Sequence, residues 1–475
     1  MHVVVVGAGI AGLAAAAELR SRAPELRVTV VEGADRIGGK LRVSEVGGLM
    51  VDEGAEMFLV RVPEAVELVD RVGLAADVVH PVTTAASVVV DGVVRPLPAG
   101  TVMGVPTQAG PVRAVLGEEA ARAVRAEPDR PGEPLTEDVA VGDYVGRRLG
   151  RVFVDRLVDP LLGGVYAGRA DGLSLQATMP GLFAALRESG SLVMAARAAQ
   201  GAAGRGDGQP AGPVFGTLAA GLGTLPGAVL AASGAELRLG LPVREVHRTA
   251  VGFRLVAGPV PRPTYLEADA VIVAVPAGKA APMLRPVAPV AAVELAGIEH
   301  ASMAVVTLVF PDLVFPDLAM PPGSGLLVPA VEGRAVKAVT CSSAKWAHLG
   351  GGGVGVLRAS VGRYGEAGVL HRDDADLVGL VRRDLAAVTG LDARPLATRV
   401  TRWGGGLPQY AVGHVDRVAR IRAAVAAVPG LAVCGAAYDG VGVPACIRTA
   451  QAAVTQVLAS FPAAAESTHD REERA

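Results

Sequence analysis

The residues with the clearest chemical potential are three glycine clusters near the start of the chain. Gly7-Ala8-Gly9-Ile10-Ala11-Gly12 has the spacing of a dinucleotide-binding turn. In such a turn Gly7 makes the sharp bend, Gly9 lets a pyrophosphate approach the backbone, and Gly12 lets a helix pack closely on a strand. Glu32 follows about twenty residues later, where a carboxylate accepts ribose hydroxyls. Asp35-Arg36-Ile37-Gly38-Gly39-Lys40 adds a second glycine turn suited to a longer, more enclosed cofactor, and Gly54-Ala55-Glu56-Met57 supplies small residues past which a flat ring can slide. Together they point to FAD rather than NAD. No Ser/His/Asp set or carboxylate pair stands out, so no catalytic side chain is assigned. The redox chemistry then belongs to the cofactor, and the protein supplies position, field and exclusion of water.

These residues need particular elements to hold them. Val3-Val4-Val5-Val6 reads as a short buried strand running into the first glycine turn, followed by a helix over Leu13 to Arg20 and a second strand, Val28 to Val31, ending at Glu32. The helix would turn its free N–H groups and positive dipole end toward the diphosphate. Further on, Pro63 to Gly73 reads as a helix, and Ser87 to Arg95 as a hairpin turning at Asp91-Gly92. The charged stretch from Gly117 to Asp138 reads as a mobile surface segment. Tyr144 to Val158 and Leu173 to Ala199 read as helices separated by the glycine-bearing run Leu161 to Gly168, and Gly201 to Pro213 as a polar linker. Strands are expected near Glu236–Leu239, Val243–His247, Phe253–Val256 and Val271–Val275, with a β-rich region from Met303 to Val361 and a helix from Asp373 to Val388. A last strand, Leu431 to Cys434, leads through Gly435, Gly440 and Gly442 into a helix from about Val443 to Leu458. That helix start can direct N–H groups at a flavin edge as reduction builds negative charge there.

Composition removes several alternatives. At 475 residues the chain is long enough for two or three packed units. It is 51% hydrophobic, yet the excess is Ala, Val and Gly without a membrane-spanning run. A net charge of −2 offers nothing to nucleic acid. Cys341, Cys434 and Cys446 lack metal-ligand spacing, so no metal site is expected and a reducing cytoplasm is the simple setting. Cys446 also lacks the context of a covalent flavin link, and free Cys is commonly a buried hydrophobe.

Several later segments resemble one family, the FAD-dependent porphyrinogen oxidases of haem biosynthesis. The likeness is nearest to the Gram-positive bacterial branch acting on coproporphyrinogen III. It rests on Leu97–Thr107, Pro160–Gly168 (PLLGGVYAG) with Leu173–Thr178, Gly221–Pro226, Leu407–His414 (LPQYAVGH) and Gly440–Ile447 (GVGVPACI), in that order. The resemblance implies an α/β fold: a discontinuous Rossmann-type FAD domain (1–60, 214–278, 416–460), a mixed-sheet substrate domain (61–110, 279–415) and a mainly helical insertion (111–213); the polar composition of 461–475 reads as a disordered tail. It carries non-covalent FAD contacts to Gly7, Ala8, Gly9, Ile10, Ala11, Gly12, Glu32, Gly33, Lys40, Gly54, Ala55, Glu56 and Met57. It carries others to Val243, whose backbone would meet adenine, and to Trp403, Ala436, Val441, Gly442 and Val443.

Gly163, Gly164 and Tyr166 would wall the tetrapyrrole, and Arg61 would hold a propionate; Lys345 is a weaker candidate for that role. The sequence departs from the family at Arg169, where an acid is usual, and at Ala86, where some eukaryotic members have a carboxylate-binding arginine. The implied reaction removes six electrons from the porphyrinogen in three flavin turnovers. Dioxygen is the acceptor, hydrogen peroxide is released, and product passes to a ferrochelatase. The implied location is cytoplasmic, with peripheral attachment to a membrane left open. Protoporphyrinogen oxidation stays open as a second activity. Amine oxidases and carotenoid desaturases share the N-terminal motifs, and prenyl-protein carriers share the fold. An aromatic content of 3% argues against the first.

Overall fold

An uninterrupted valine run suits a strand covered on both faces, and Val3, Val4 and Val5 have no solvent exposure. The computed structural model describes residues 1–204, 212–311, 323–350 and 353–461. In it, His2–Val6 is the middle strand of a five-stranded parallel sheet. The order is Glu236–Arg238, Arg27–Val31, His2–Val6, Ala270–Val273, Leu431–Val433. Helix Ile10–Arg22 covers one face. Its run of alanines lets helices Val443–Ala459 and Leu225–Ser233 come close. An antiparallel sheet of Val243–Arg248, Phe253–Ala257 and Thr264–Ala268 flanks the opposite side of the core.

The second large layer is a seven-stranded sheet. Its order is Ala397–Pro408, His300–Pro311, Val354–Val361, Val336–Cys341, Gly325–Leu327, Ala86–Val90, Val93–Pro96. All its pairings are antiparallel except that of Gly325–Leu327 with Ala86–Val90. The expected hairpin turns at Asp91 (φ 53°) and Gly92 (φ 76°). Two positive φ values in succession match the twist of the flanking strands, which is why Asp-Gly is favoured there. The expected helix before the end of the chain spans Asp374–Thr389. The polar linker and the tail lie, apart from their edges, outside the described residues. No helix among those described is long and apolar enough to cross a membrane.

The helical layer corrects two expectations. Of residues 117 to 138, the part up to Asp129 is helical with a buried face rather than a mobile surface segment, while 130–137 is irregular and largely exposed. Helix Ala109–Ala126 runs through Gly117, which kinks it at φ 89°, and Val112, Val115, Ala120, Ala121 and Val124 are buried. Glu127, next in line, is fully buried. Its carboxylate accepts bonds from Ser191 Oγ (2.6 Å), Leu192 N (2.8 Å), Val193 N (3.0 Å) and Arg148 Nε (2.6 Å). Burial pushes its pKa up, but these donors outweigh burial and hold it below the usual range. The charged composition of this stretch does not mean solvation, because the acid serves the start of helix Leu192–Gly204. The second correction is that Leu161–Gly168 does not interrupt the helices. Helix Asp159–Tyr166 passes through both glycines after a π-helical turn at Val154–Val158, and the left-handed stop falls at Ala167 (φ 51°).

Glu127→Ala therefore strands a nearly buried Arg148 and orphans two backbone donors. The expected loss is about 3–5 kcal/mol, the cost of breaking a buried pair. A lower urea midpoint for the variant than for the unmodified protein checks it.

Candidate functional site

Gly7, at φ 107°, begins the turn, and a Cβ there would lie 2.9 Å from the Ala274 carbonyl oxygen. A Cβ on Gly12 would come within 1.9 Å of the Gly7 oxygen, so helix and strand meet only because both residues are glycine. Gly9 is different: nothing lies within 4 Å of a Cβ built on it. The turn is tight toward the protein and open on its outer face. Gly9 ends helix Ile10–Arg22 without a side-chain cap, leaving that helix's first N–H groups unsatisfied by side chains. Glu32 accepts from Ala8 N (2.8 Å) and Ala34 N (2.9 Å), one bond to each carboxylate oxygen, which fixes its position and leaves acceptor capacity on both. Leu241 N donates to the Glu32 carbonyl, and Pro242 packs on Gly33, so Glu32, Gly33 and Val243 come together at one end of the turn.

At the other end Gly54 is pressed against Lys40. A Cβ on Gly54 would sit 2.1 Å from the Lys40 carbonyl oxygen and 3.0 Å from the Trp403 ring. Trp403 Nε1 donates to the Glu53 carbonyl (3.1 Å), and Ala55 N donates to Lys40 O (3.3 Å). The Lys40 ammonium has no hydrogen bond or ion pair among the described residues. Burial lowers its pKa, with Cys446 close enough to oppose the shift.

Glu56 has its carboxylate committed. It is bound by Lys345 Nζ (2.6 Å) and Arg358 Nη1, and Arg358 Nη2 also donates to Gly54 O (2.6 Å). Burial pushes the pKa of Glu56 up, but the two cations override this and bring it down to about 2. Lys345 also approaches Met57 Sδ at 3.1 Å. This corrects the reading of Lys345 as a propionate anchor: its charge is already matched inside the protein, and only the backbone of Glu56 is left for a cofactor. The Gly221–Gly223 run is tied to the same region, its Leu222 and Gly223 N–H groups donating to Asp52 at 2.9 and 2.8 Å.

A third group of residues joins helix Asp159–Tyr166 to the segment before the last helix. Gln409 Nε2 donates to Tyr166 O (2.8 Å), and the Tyr166 and Tyr410 rings lie 5.4 Å apart. Tyr410 donates its hydroxyl to Ala436 O (2.7 Å) and accepts Gly440 N (2.9 Å). Its ring stacks on His414, whose Nε2 pairs with the Tyr438 carbonyl, so His414 is structural. Gly435 lies against Ala11 of the first glycine turn, which brings Ala436 to it, and Gly442 ends helix Val443–Ala459 with no side-chain cap. Gly163 is buried and Gly164 exposed on helix Asp159–Tyr166, with only Leu327 near a Cβ built on Gly164. Arg61 is exposed beyond strand Phe58–Leu59 and has no ionic partner among the described residues. Nothing brings it against Gly163, Gly164 or Tyr166. Arg169 is paired with Glu366 and with Asp159 (3.7 Å).

Sequence reading did not assign Arg358, Gln409, Asp52 or Lys337. The available signal for Arg358 and Lys337 was a single basic residue inside an otherwise apolar strand.

A parallel sheet with this glycine turn, closed by a late strand and helix, defines a flavin-dependent oxidoreductase architecture. Residues 10–458 match the model of the flavin containing amine oxidoreductases, and the chain belongs to that family. It is 37% identical to the coproporphyrinogen III oxidase of Mycobacterium tuberculosis (strain ATCC 25618 / H37Rv) over 97% of this chain and 98% of that protein. It is 33% identical to the coproporphyrinogen III oxidase of Bacillus subtilis (strain 168), covering 96% and 98%. The crystal structure of a putative protoporphyrinogen oxidase from Exiguobacterium sp. 255-15 superposes with a TM-score of 0.83 at 31% identity, covering 97% of this chain and 99% of that one.

Glu56→Gln leaves two nearly buried cations without a counter-charge, and a loss of about 3–5 kcal/mol is expected. Because the folded-state pKa of Glu56 is lowered from 4.5 to about 2, its stabilisation is present above 4.5 and fades as pH falls toward 2. Thermal melting across acid pH checks both points: the variant melts lower at neutral pH and lacks this component of acid sensitivity.

Proposed function

We propose that this chain oxidises coproporphyrinogen III to coproporphyrin III with non-covalently bound FAD, taking six electrons in three rounds. The reading is carried by the near-full-length similarity, at 33–37% identity, to proteins named coproporphyrinogen III oxidase. Bound FAD supplies two-electron redox chemistry at each round, with dioxygen as the final acceptor and hydrogen peroxide as its product.

The residues present fit that cofactor. The open face of Gly9 and the uncapped helix after it suit a pyrophosphate, and Glu32 has acceptor capacity left for ribose. Val243 and Gly33 bound the adenine end. Lys40, with its unpartnered ammonium, and the uncapped helix after Gly442 supply positive potential where reduction builds negative charge. Gly54, Ala55 and Trp403 border the ring, and Ala436 and Val441 close over it. Cys446 is buried and burial pushes its thiol up to about 11, the opposite of what a nucleophilic attachment needs. Gly163, Gly164 and Tyr166 form the wall on which the macrocycle rests. Arg61 is the free cation assigned to a propionate. The metal-free porphyrin would then meet a ferrochelatase.

Acid precipitation is expected to leave all flavin in the supernatant; yellow protein in the pellet contradicts the non-covalent reading. Gly9→Val is expected to fold normally, because that position has open space and ordinary φ, yet to purify colourless because the side chain fills the pyrophosphate approach.

Anaerobically prepared coproporphyrinogen III and protoporphyrinogen IX, compared by initial porphyrin fluorescence, test the substrate. A faster rate with the first is expected, and inertness toward both overturns the reading. Losing a partly desolvated Arg–carboxylate pair costs on the order of 2–5 kcal/mol. Arg61→Ala should therefore raise KM for coproporphyrinogen by more than about tenfold and affect the substrate with two propionates less. Equal or absent effects return Arg61 to the solvated surface.

A further inference from the structure

Strand Val336–Cys341 carries a lysine among apolar neighbours. Lys337 is only 4% exposed, as buried as Val339 and Cys341. Pairing with Val354–Val361 steps between Val336 and Ala338, so Lys337 is the extra residue of a β-bulge. Bulges re-aim side chains and gather beside active sites. The re-aimed amine reaches Gly163 O (3.3 Å) and, past the intervening strand, Met303 Sδ (4.0 Å). Met303 adjoins a second register step, between Ala301 and Met303, and is paired with Trp403, which packs on Gly54. The amine thus lies between the helix assigned to the macrocycle and the strands behind the flavin segment.

A buried lysine normally meets a carboxylate. Lys337 meets none among the described residues. The charged group facing it is Arg363, a cation bonded to the carbonyls of Arg334, Val328 and Val336. On the packed elements, Asp159 is engaged by Ala170 N and Arg169, Asp384 by Ala335 N, Val336 N and Arg334, Glu366 by Arg169 and Arg363, Arg358 by Glu56, and His300 lies beside Lys40. Burial, with Arg363 adding to it, pushes Lys337 down to about 7. An amine donating one hydrogen to Gly163 O keeps a lone pair when neutral.

We propose that Lys337 is the base that accepts the protons released as the porphyrinogen is dehydrogenated, a role that rests on the porphyrinogen oxidase reading. Six hydrogens leave the macrocycle, three as hydride and three as protons. In each round one meso C–H bond breaks and its electron pair departs with the hydrogen to the oxidised flavin. One proton also leaves the ring, directly from nitrogen or after tautomerisation from carbon. Its bonding pair stays behind to form the new double bond, and the amine lone pair forms the new N–H bond. The ammonium returns that proton to water before the next round.

The test uses the full FAD-loaded chain with Lys337→Met, which removes the amine, and Lys337→Arg, which keeps a cation that cannot act as a neutral base. The wild-type single-turnover rate is expected to rise with pH through about 7. Both variants should lose about a hundredfold or more in rate, and with it that pH limb. Coproporphyrin binding by fluorescence titration and FAD content should match wild type. Lys337→Met should melt above wild type at neutral pH, since the unfolded chain holds a proton that the folded site disfavours. A fast Lys337→Arg with weakened porphyrin binding in Lys337→Met makes the residue a propionate anchor and overturns the proposal, as do unchanged rates in both. If Lys337→Met fails to fold, the wild-type profile decides, and a rate flat through neutrality overturns it. Wild-type inertness toward both porphyrinogens instead removes the functional reading and this role together, a result distinct from an active enzyme indifferent to Lys337.

Discussion

The buried carboxylate of Glu56 is the constraint on which the arrangement of the two large sheets depends. It belongs to the segment that follows the second glycine turn, while Arg358 comes from the seven-stranded sheet and Lys345 from the short helix Ser342–Lys345 that follows one of its strands, at separations of 302 and 289 residues. Burying three charges is costly unless each is matched and hydrogen-bonded. Here Arg358 also donates to the Gly54 carbonyl, though its Nε has no partner among the described residues, and Lys345 also touches Met57. The geometry tolerates little displacement of one sheet against the other, because sliding would expose unmatched charge to a low-dielectric interior. The cluster ties the Gly54–Met57 backbone and the seven-stranded sheet into one wall.

A second seam works without charge. Gln409 and Tyr410 bond to carbonyls or amides of Tyr166, Ala436 and Gly440, fastening the glycine-bearing helix end to the loop before the last helix. Main-chain groups are the partners throughout, so the seam depends on local backbone shape more than on neighbouring side-chain identity. Its rigidity is that of buried amide pairs, which are costly to leave unmade.

Local patterns were legible in the sequence. The glycine turn, its strand, its helix and Glu32 all lie within a short stretch whose conformations are dictated by sterics and periodicity, and the Asp91-Gly92 turn by two positive φ values. What escaped was non-local. Glu127 looked like one more charge in a polar run, because Ser191 and Arg148 gave no sign of converging on it. Gly163 and Gly164 looked like a break, since their helix is held by burying its own Leu162 and Tyr166 in the helical layer rather than by propensity. Lys345 looked free because its counter-ion lies far back along the chain. Lys337 needed knowledge of the bulge, a register property that no alternation of residues announces.

The parallel sheet beneath the glycine turn has a consequence for how the molecule is made. Its middle strand is near the N-terminus, yet one edge strand is Leu431–Val433 and the helix that completes that side is Val443–Ala459. As the chain leaves a ribosome, its first strands and helix Ile10–Arg22 gain partners from residues 225–273 but stay without the last edge strand and helix until about 160 residues later. Loop closure over such distances is slow, and exposed parallel edges invite wrong pairings.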